Sequence, residues 1–223
     1  KDQASGSNYT FRDGTVKKSG VMGTICCTSF FPSKNLGCYG DGGAIFTNDD
    51  ALAGLLKKVA NHGQSVRYYH DVVGCNSRLD TLQAAVLNIK LQHLDEYIDA
   101  RRKAATIYDN AFSGNKMITI PFRDDNNTHV FHQYTLILNA NENHAAYRDG
   151  MNKYLADEGI PSMIYYPVPA HKQKMFDAFG GSKFELPVTD WLTERVISLP
   201  MHTELDQEQQ EMIISHVIAY TEK

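Results

Sequence analysis

The chain has 223 residues, of which 42% are hydrophobic, enough for an ordinary buried core in one large domain or two small ones. Its 26 acidic and 22 basic residues give a net charge of -4, and no long run of one sign occurs, which argues against charge-driven binding to nucleic acid or a membrane surface. Cys26, Cys27, Cys38 and Cys75 lack metal-ligand or disulfide-framework spacing and read as free thiols of a reducing cytoplasm, while no stretch is long enough to span a membrane and the first residues lack the order of a signal peptide.

Residues 1–20 are polar and punctuated by glycine, with Tyr9 and Phe11 alternating around Thr10 as in a hairpin arm. The β-branched run 23–29 predicts a short buried strand that delivers Ser29 and then Lys34 at its exit. Residues 43–47 predict the next strand. Asn48 or Asp49 is placed to cap a helix whose Leu52, Leu55, Leu56 and Val59 recur at helical spacing until Asn61-His62-Gly63 ends it. Residues 64–77 read as a long polar and aromatic loop of the kind that often carries function. From Leu79 to about Phe112 the pattern is helical, with a bend or break near Gln92–Asp95. The last third predicts strands over 131–138 and 162–166 and helices over 143–158, 189–197 and 206–220, a small α/β domain.

Lys34 stands between Phe30-Phe31-Pro32 and the glycines 37, 40, 42 and 43, so it belongs to a shaped loop rather than a helix face. An ammonium held among aromatic rings and close-packed backbone loses water, which disfavours its charged form and suits an imine-forming lysine. The alternative is a solvent-exposed loop lysine, and its neighbours decide between the two.

Those neighbours are Gln3-Ala4, Ser29-Phe30, Pro32-Ser-Lys34-Asn-Leu, Gly40-Asp-Gly-Gly43, Asn76-Ser-Arg78-Leu-Asp80, Tyr165-Tyr-Pro-Val-Pro169 and Ser198-Leu-Pro-Met-His202. In this order they resemble the sugar aminotransferases of the DegT/DnrJ/EryC1/StrS family, over about residues 3–202. The resemblance implies an α/β enzyme of the aspartate-aminotransferase (type I) fold that uses pyridoxal 5'-phosphate (PLP), usually as a homodimer with shared sites. The expected division is 1–90 as the C-terminal part of an incomplete large domain, 91–112 as a linking helix, and 113–223 as the small C-terminal domain.

By the same resemblance, Lys34 holds PLP covalently and carries a proton during transfer, Ser29 contacts the cofactor phosphate, and the Gln3 amide lies against the cofactor ring. Asn76 reaches the partner's phosphate, Arg78 pairs with a substrate carboxylate, and Tyr165 and Tyr166 face the sugar and nucleotide. Locally, a bonded hydroxyl for Ser29, a helix-start bridge for Arg78 and packing for the tyrosines remain open. The family's ring-nitrogen aspartate would fall just before Lys1, so the front of the family's chain is expected to be missing from these residues. The implied reaction moves an amino group from L-glutamate to a keto group, at C3, of a nucleotide-linked hexose for polysaccharide or glycan synthesis. A sugar dehydratase of the same family would carry histidine in place of Lys34, and a non-catalytic or regulatory dimer module is the reading from another class.

Overall fold

The β-branched run ahead of the lysine loop forms a strand only over its last four residues, and of these Thr28 alone is buried, so the buried strand expected over 23–29 is shorter and more exposed than its composition suggests. The structure, a computed structural model, describes residues 6–222. Two compact units result: one comprises the described residues up to Asp99 together with Asp124–His132, the other Ala100–Arg123 together with the described residues from Gln133 on.

In the first unit, β1 (Asn8–Thr10) pairs antiparallel with β2 (Val16–Lys18) around a turn that Asp13 closes by accepting the Thr15 amide at 2.9 Å. Next, β3 (Cys26–Ser29) pairs antiparallel with β4 (Gly43–Phe46), with Ser29 opposite Gly43. The Asp49 carboxylate accepts the Leu52 amide at 3.0 Å and so starts α1 (Asp50–Ala60). The stretch 64–77, expected as a loop, contains a small hairpin of β5 (Gln64–Val66) and β6 (Tyr69–His70). The break expected near Gln92 separates α2 (Thr81–Leu91) from α3 (Leu94–Phe112).

The first unit's core joins Leu36 and Cys38 of the lysine loop to Leu87, Leu94, Ile98 and Val130, with Phe30 and Leu79 packed against them. The loop that carries Lys34 is therefore seated by its own apolar residues, and its position follows from burial rather than from loop conformation alone.

In the second unit, β7 (Ile118–Thr119), β8 (Tyr134–Leu138) and β9 (Val196–Leu199) form an antiparallel sheet in the order β7-β8-β9. Tyr134, Leu136 and Leu138 are buried at alternate positions of β8, as the period of a strand requires. Helix α4 (His144–Asp157) packs against β9 and against α6 (Gln207–Thr221), while α5 (Pro187–Thr193) precedes β9. Tyr108 and Phe112 of α3 are fully buried in this unit, the Tyr108 ring lying 4.9 Å from that of Tyr134.

Four further expectations are corrected. The helix expected over 189–197 ends at Thr193, and its last two positions belong to the fully buried β9, where an apolar run shows no alternation to separate it from a helix. Residues 162–166 form no strand: Met163 alone bridges to Ser198. The strand expected from Phe131 starts at Tyr134, because Phe131 takes a left-handed backbone (φ 42°) that an extended strand does not allow. Finally, Asp124–His132, which the expected division places in the second domain, returns to the first unit.

Candidate active site

Lys34 sits in a tight turn, its amide donating to the Phe31 carbonyl at 2.8 Å, with Pro32 inside the turn supplying a fixed φ. The next four residues, Asn35 to Cys38, are all buried, whereas the Lys34 side chain is half-buried. Asn35 donates through Nδ2 to the Val130 carbonyl at 2.9 Å, and Lys90 Nζ donates to the Gly37 carbonyl at 2.6 Å. Gly37 is required by space: a Cβ there would lie 2.5 Å from the Pro32 oxygen and 2.7 Å from that of Phe31. At Gly42 a Cβ would meet Cys38 Sγ at 2.8 Å. The glycines around Lys34 thus let the loop fold back on itself.

Ser29 ends β3, half-buried, and its Oγ accepts the Phe31 amide at 3.2 Å. That bond leaves the hydroxyl proton available to donate to a ligand. Opposite the lysine, His132 Nε2 lies 3.3 Å from Lys34 Nζ. Reading the sequence did not single out His132, and no local signal could have, since 98 positions separate the two residues.

Asn76 and Arg78 are held at the C-terminal end of α1. Asn76 forms an antiparallel bridge with Asn61, and Arg78 Nη1 donates to Asn61 Oδ1 at 3.2 Å. Both are exposed. Arg78 therefore bridges the end of α1, not the start of the helix that follows it. It also lines a cleft of about 940 Å³ shared with Thr28, Gly42, Gly43, Leu56 and Lys57. The nearby hairpin is tied to α1 by Lys58 Nζ on Asp71 at 2.9 Å, and hydrogen bonds from Ser65 and then Lys58 hold the Asp71 carboxyl below the usual carboxylate range.

Tyr165 and Tyr166 belong to the second unit, with their rings 5.6 Å apart in an edge-to-face arrangement and Tyr166 the more exposed. Gln3 lies outside the described residues. Among the described residues, no group of three His, Cys, Asp or Glu side chains is arranged to hold a metal ion, and no helix is long and apolar enough to cross a membrane.

The family model described as DegT/DnrJ/EryC1/StrS aminotransferase matches residues 1–218. The UDP-2-acetamido-2-deoxy-3-oxo-D-glucuronate aminotransferase of Pseudomonas aeruginosa is 47% identical over 192 residues, covering 85% of this chain and 50% of that protein. A pleiotropic regulatory protein of Geobacillus stearothermophilus is 41% identical over 98% of this chain and 56% of its own length. The crystal structure of DesV of S. venezuelae, in complex with a ketimine intermediate, superposes with a TM-score of 0.87 at 34% identity, over 100% of this chain and 57% of that one. The chain thus spans about half the length of the curated relatives it matches.

Proposed function

As the chain belongs to the DegT/DnrJ/EryC1/StrS aminotransferase family, we propose that the protein transfers an amino group from L-glutamate to the C3 keto group of a nucleotide-linked hexose. The product serves polysaccharide or glycan assembly, and the enzyme works as a cytoplasmic homodimer with PLP as its cofactor. The observation that carries this reading is Lys34: a half-buried amine at the exit of β3, on a loop whose Leu36 and Cys38 are core residues, five positions after the Ser29 hydroxyl. The P. aeruginosa relative, named for a 3-oxo-glucuronate substrate, supports the ring position and the nucleotide sugar.

The described residues fit a phosphate-bearing aldehyde. Lys34 Nζ is the amine, and Ser29 Oγ retains a proton to donate, since its present bond uses it as an acceptor. When bound, PLP supplies a carbonyl that captures amines and a ring that accepts the electron pair of a broken C–H bond. Ser29 orients the phosphate. Lys34 Nζ would accept the proton that leaves the donor's α-carbon. In this reading Arg78 would offer two parallel N–H groups to a uronate carboxylate, and Asn76 would serve the phosphate of the partner's site. Tyr165 and Tyr166 present amphipathic faces to sugar and nucleotide.

The test is the absorbance of the purified protein with PLP, before and after borohydride, with the adduct located by peptide mass. A visible band that moves on adding glutamate, with the adduct on Lys34 and absent from Lys34→Ala, supports the assignment. Folded protein that shows neither band nor adduct overturns it. The name of the Geobacillus relative favours a second, regulatory reading, in which the fold is retained without catalysis; the same spectrum separates the two.

A further inference from the structure

The segment that runs from Asp124 to His132 leaves the second unit and is bound along the first by four separate ties. The Thr10 amide donates to the Asn126 carbonyl at 2.7 Å, the Thr128 amide to the Asn8 carbonyl at 3.0 Å, the Asn8 amide to Thr128 Oγ1 at 2.8 Å, and Asn35 Nδ2 to the Val130 carbonyl at 2.9 Å. Asn35 is the residue next to Lys34, so the last tie fixes the segment against the lysine loop itself. One residue further, Phe131 is fully buried in the left-handed region, at φ 42°, a conformation that residues with a Cβ rarely adopt. Its amide donates to His129 Nδ1 at 3.0 Å, and its ring lies 4.1 Å from the His129 ring. This turn directs the His132 side chain to Lys34, where Nε2 comes within 3.3 Å of Nζ.

We propose that His132 is a positioning residue for Lys34, its Nε2 accepting a hydrogen bond from Nζ and holding the lysine in one orientation before it reacts. For Nε2 to accept from Nζ it must carry the ring's free lone pair, which places the ring proton on Nδ1. A lysine already held this way has less side-chain freedom to lose on reaching a reacting carbonyl. The inference rests on the reading of Lys34 as the reacting amine, but the contact is tested without the cofactor.

Trace acetylation of the folded chain, read at Lys34 by peptide mass against the exposed Lys116 and Lys174, reports how far Nζ is engaged. His132→Leu, which fills the space and removes the acceptor, is expected to raise labelling of Lys34 about fivefold, the order of one net hydrogen bond. His132→Gln restores an acceptor of similar reach and is expected to return labelling toward the parent value. Equal labelling in parent and both variants overturns the proposal, as does an equal rise in both, which marks general loosening. Imidazole 15N shifts of the parent give an answer that needs no variant to fold: a proton on Nδ1 of His132 supports the contact, and one on Nε2 overturns it. Failure of PLP to attach to Lys34 would sink the aminotransferase reading while leaving these readouts intact.

Discussion

Gly37 shows how much of the site is decided by a missing methyl group. Gly37→Ala would drive a Cβ into two backbone oxygens, at 2.5 and 2.7 Å, neither of which can swing aside as a side-chain tip would. It is expected to destabilise the chain by about 1–3 kcal/mol, seen as a lower urea midpoint with unchanged slope, and to weaken attachment at Lys34. Arg78 carries a different prediction. Its exposure, with a bond to Asn61 among the described residues, means that Arg78→Ala leaves stability within about 0.5 kcal/mol. Against a uronic-acid substrate the same change is expected to lower kcat/KM by about 2–5 kcal/mol if the carboxylate pair is buried in the complex. A loss of the same size with a neutral sugar would remove the carboxylate assignment.

At the scale of elements, α6 depends on its first turn. Asp206 accepts the Gln209 amide at 2.8 Å while the Gln209 side chain accepts the Asp206 amide at 3.3 Å, so two otherwise unsatisfied donors are met reciprocally. Asp206→Ala is expected to lower stability by about 1 kcal/mol, measured by urea denaturation. Elements of this kind were legible because their signals are local: the cap at Asp49, the break between Leu91 and Leu94, and the β-branched run into Ser29 all act over a few residues. The strand 196–199 was not, since a short strand buried at every position, Ser198 included, shows no alternation to separate it from a buried helix. Among the site residues, the positions of Ser29 at a strand end and Lys34 in the following loop could be read from Pro32 and the glycines. The bond of Arg78 to the end of α1 could not, because it depends on how residues 75–77 return along that helix: the Cys75 and Ser77 amides donate to the Val59 and Ala60 carbonyls, each at 2.9 Å.

Across the whole molecule, alkaline pH should weaken the second unit. Burial pushes the Tyr108 and Tyr134 hydroxyls above the ordinary tyrosine value of 10.0, and the Asp109 carboxylate, which accepts the Tyr134 bond at 2.8 Å, adds to the effect for Tyr134. The unfolded chain releases these protons from about pH 10 upward while the folded chain keeps them. The stabilisation is therefore complete below that pH and is lost as pH rises. Between pH 9 and 11 the unfolding free energy from urea denaturation should fall by about 1.4 kcal/mol less for Tyr134→Phe than for the parent. An equal fall in both would assign the loss to other groups. The return of residues 124–132 to the first unit has a consequence in time. Ribosomes add roughly 5–20 residues per second, so the 98 positions between Lys34 and His132 amount to roughly 5–20 s of synthesis. Throughout that interval the newborn lysine lacks its histidine, and the first unit is completed only after the opening helix of the second has already left the ribosome's decoding site.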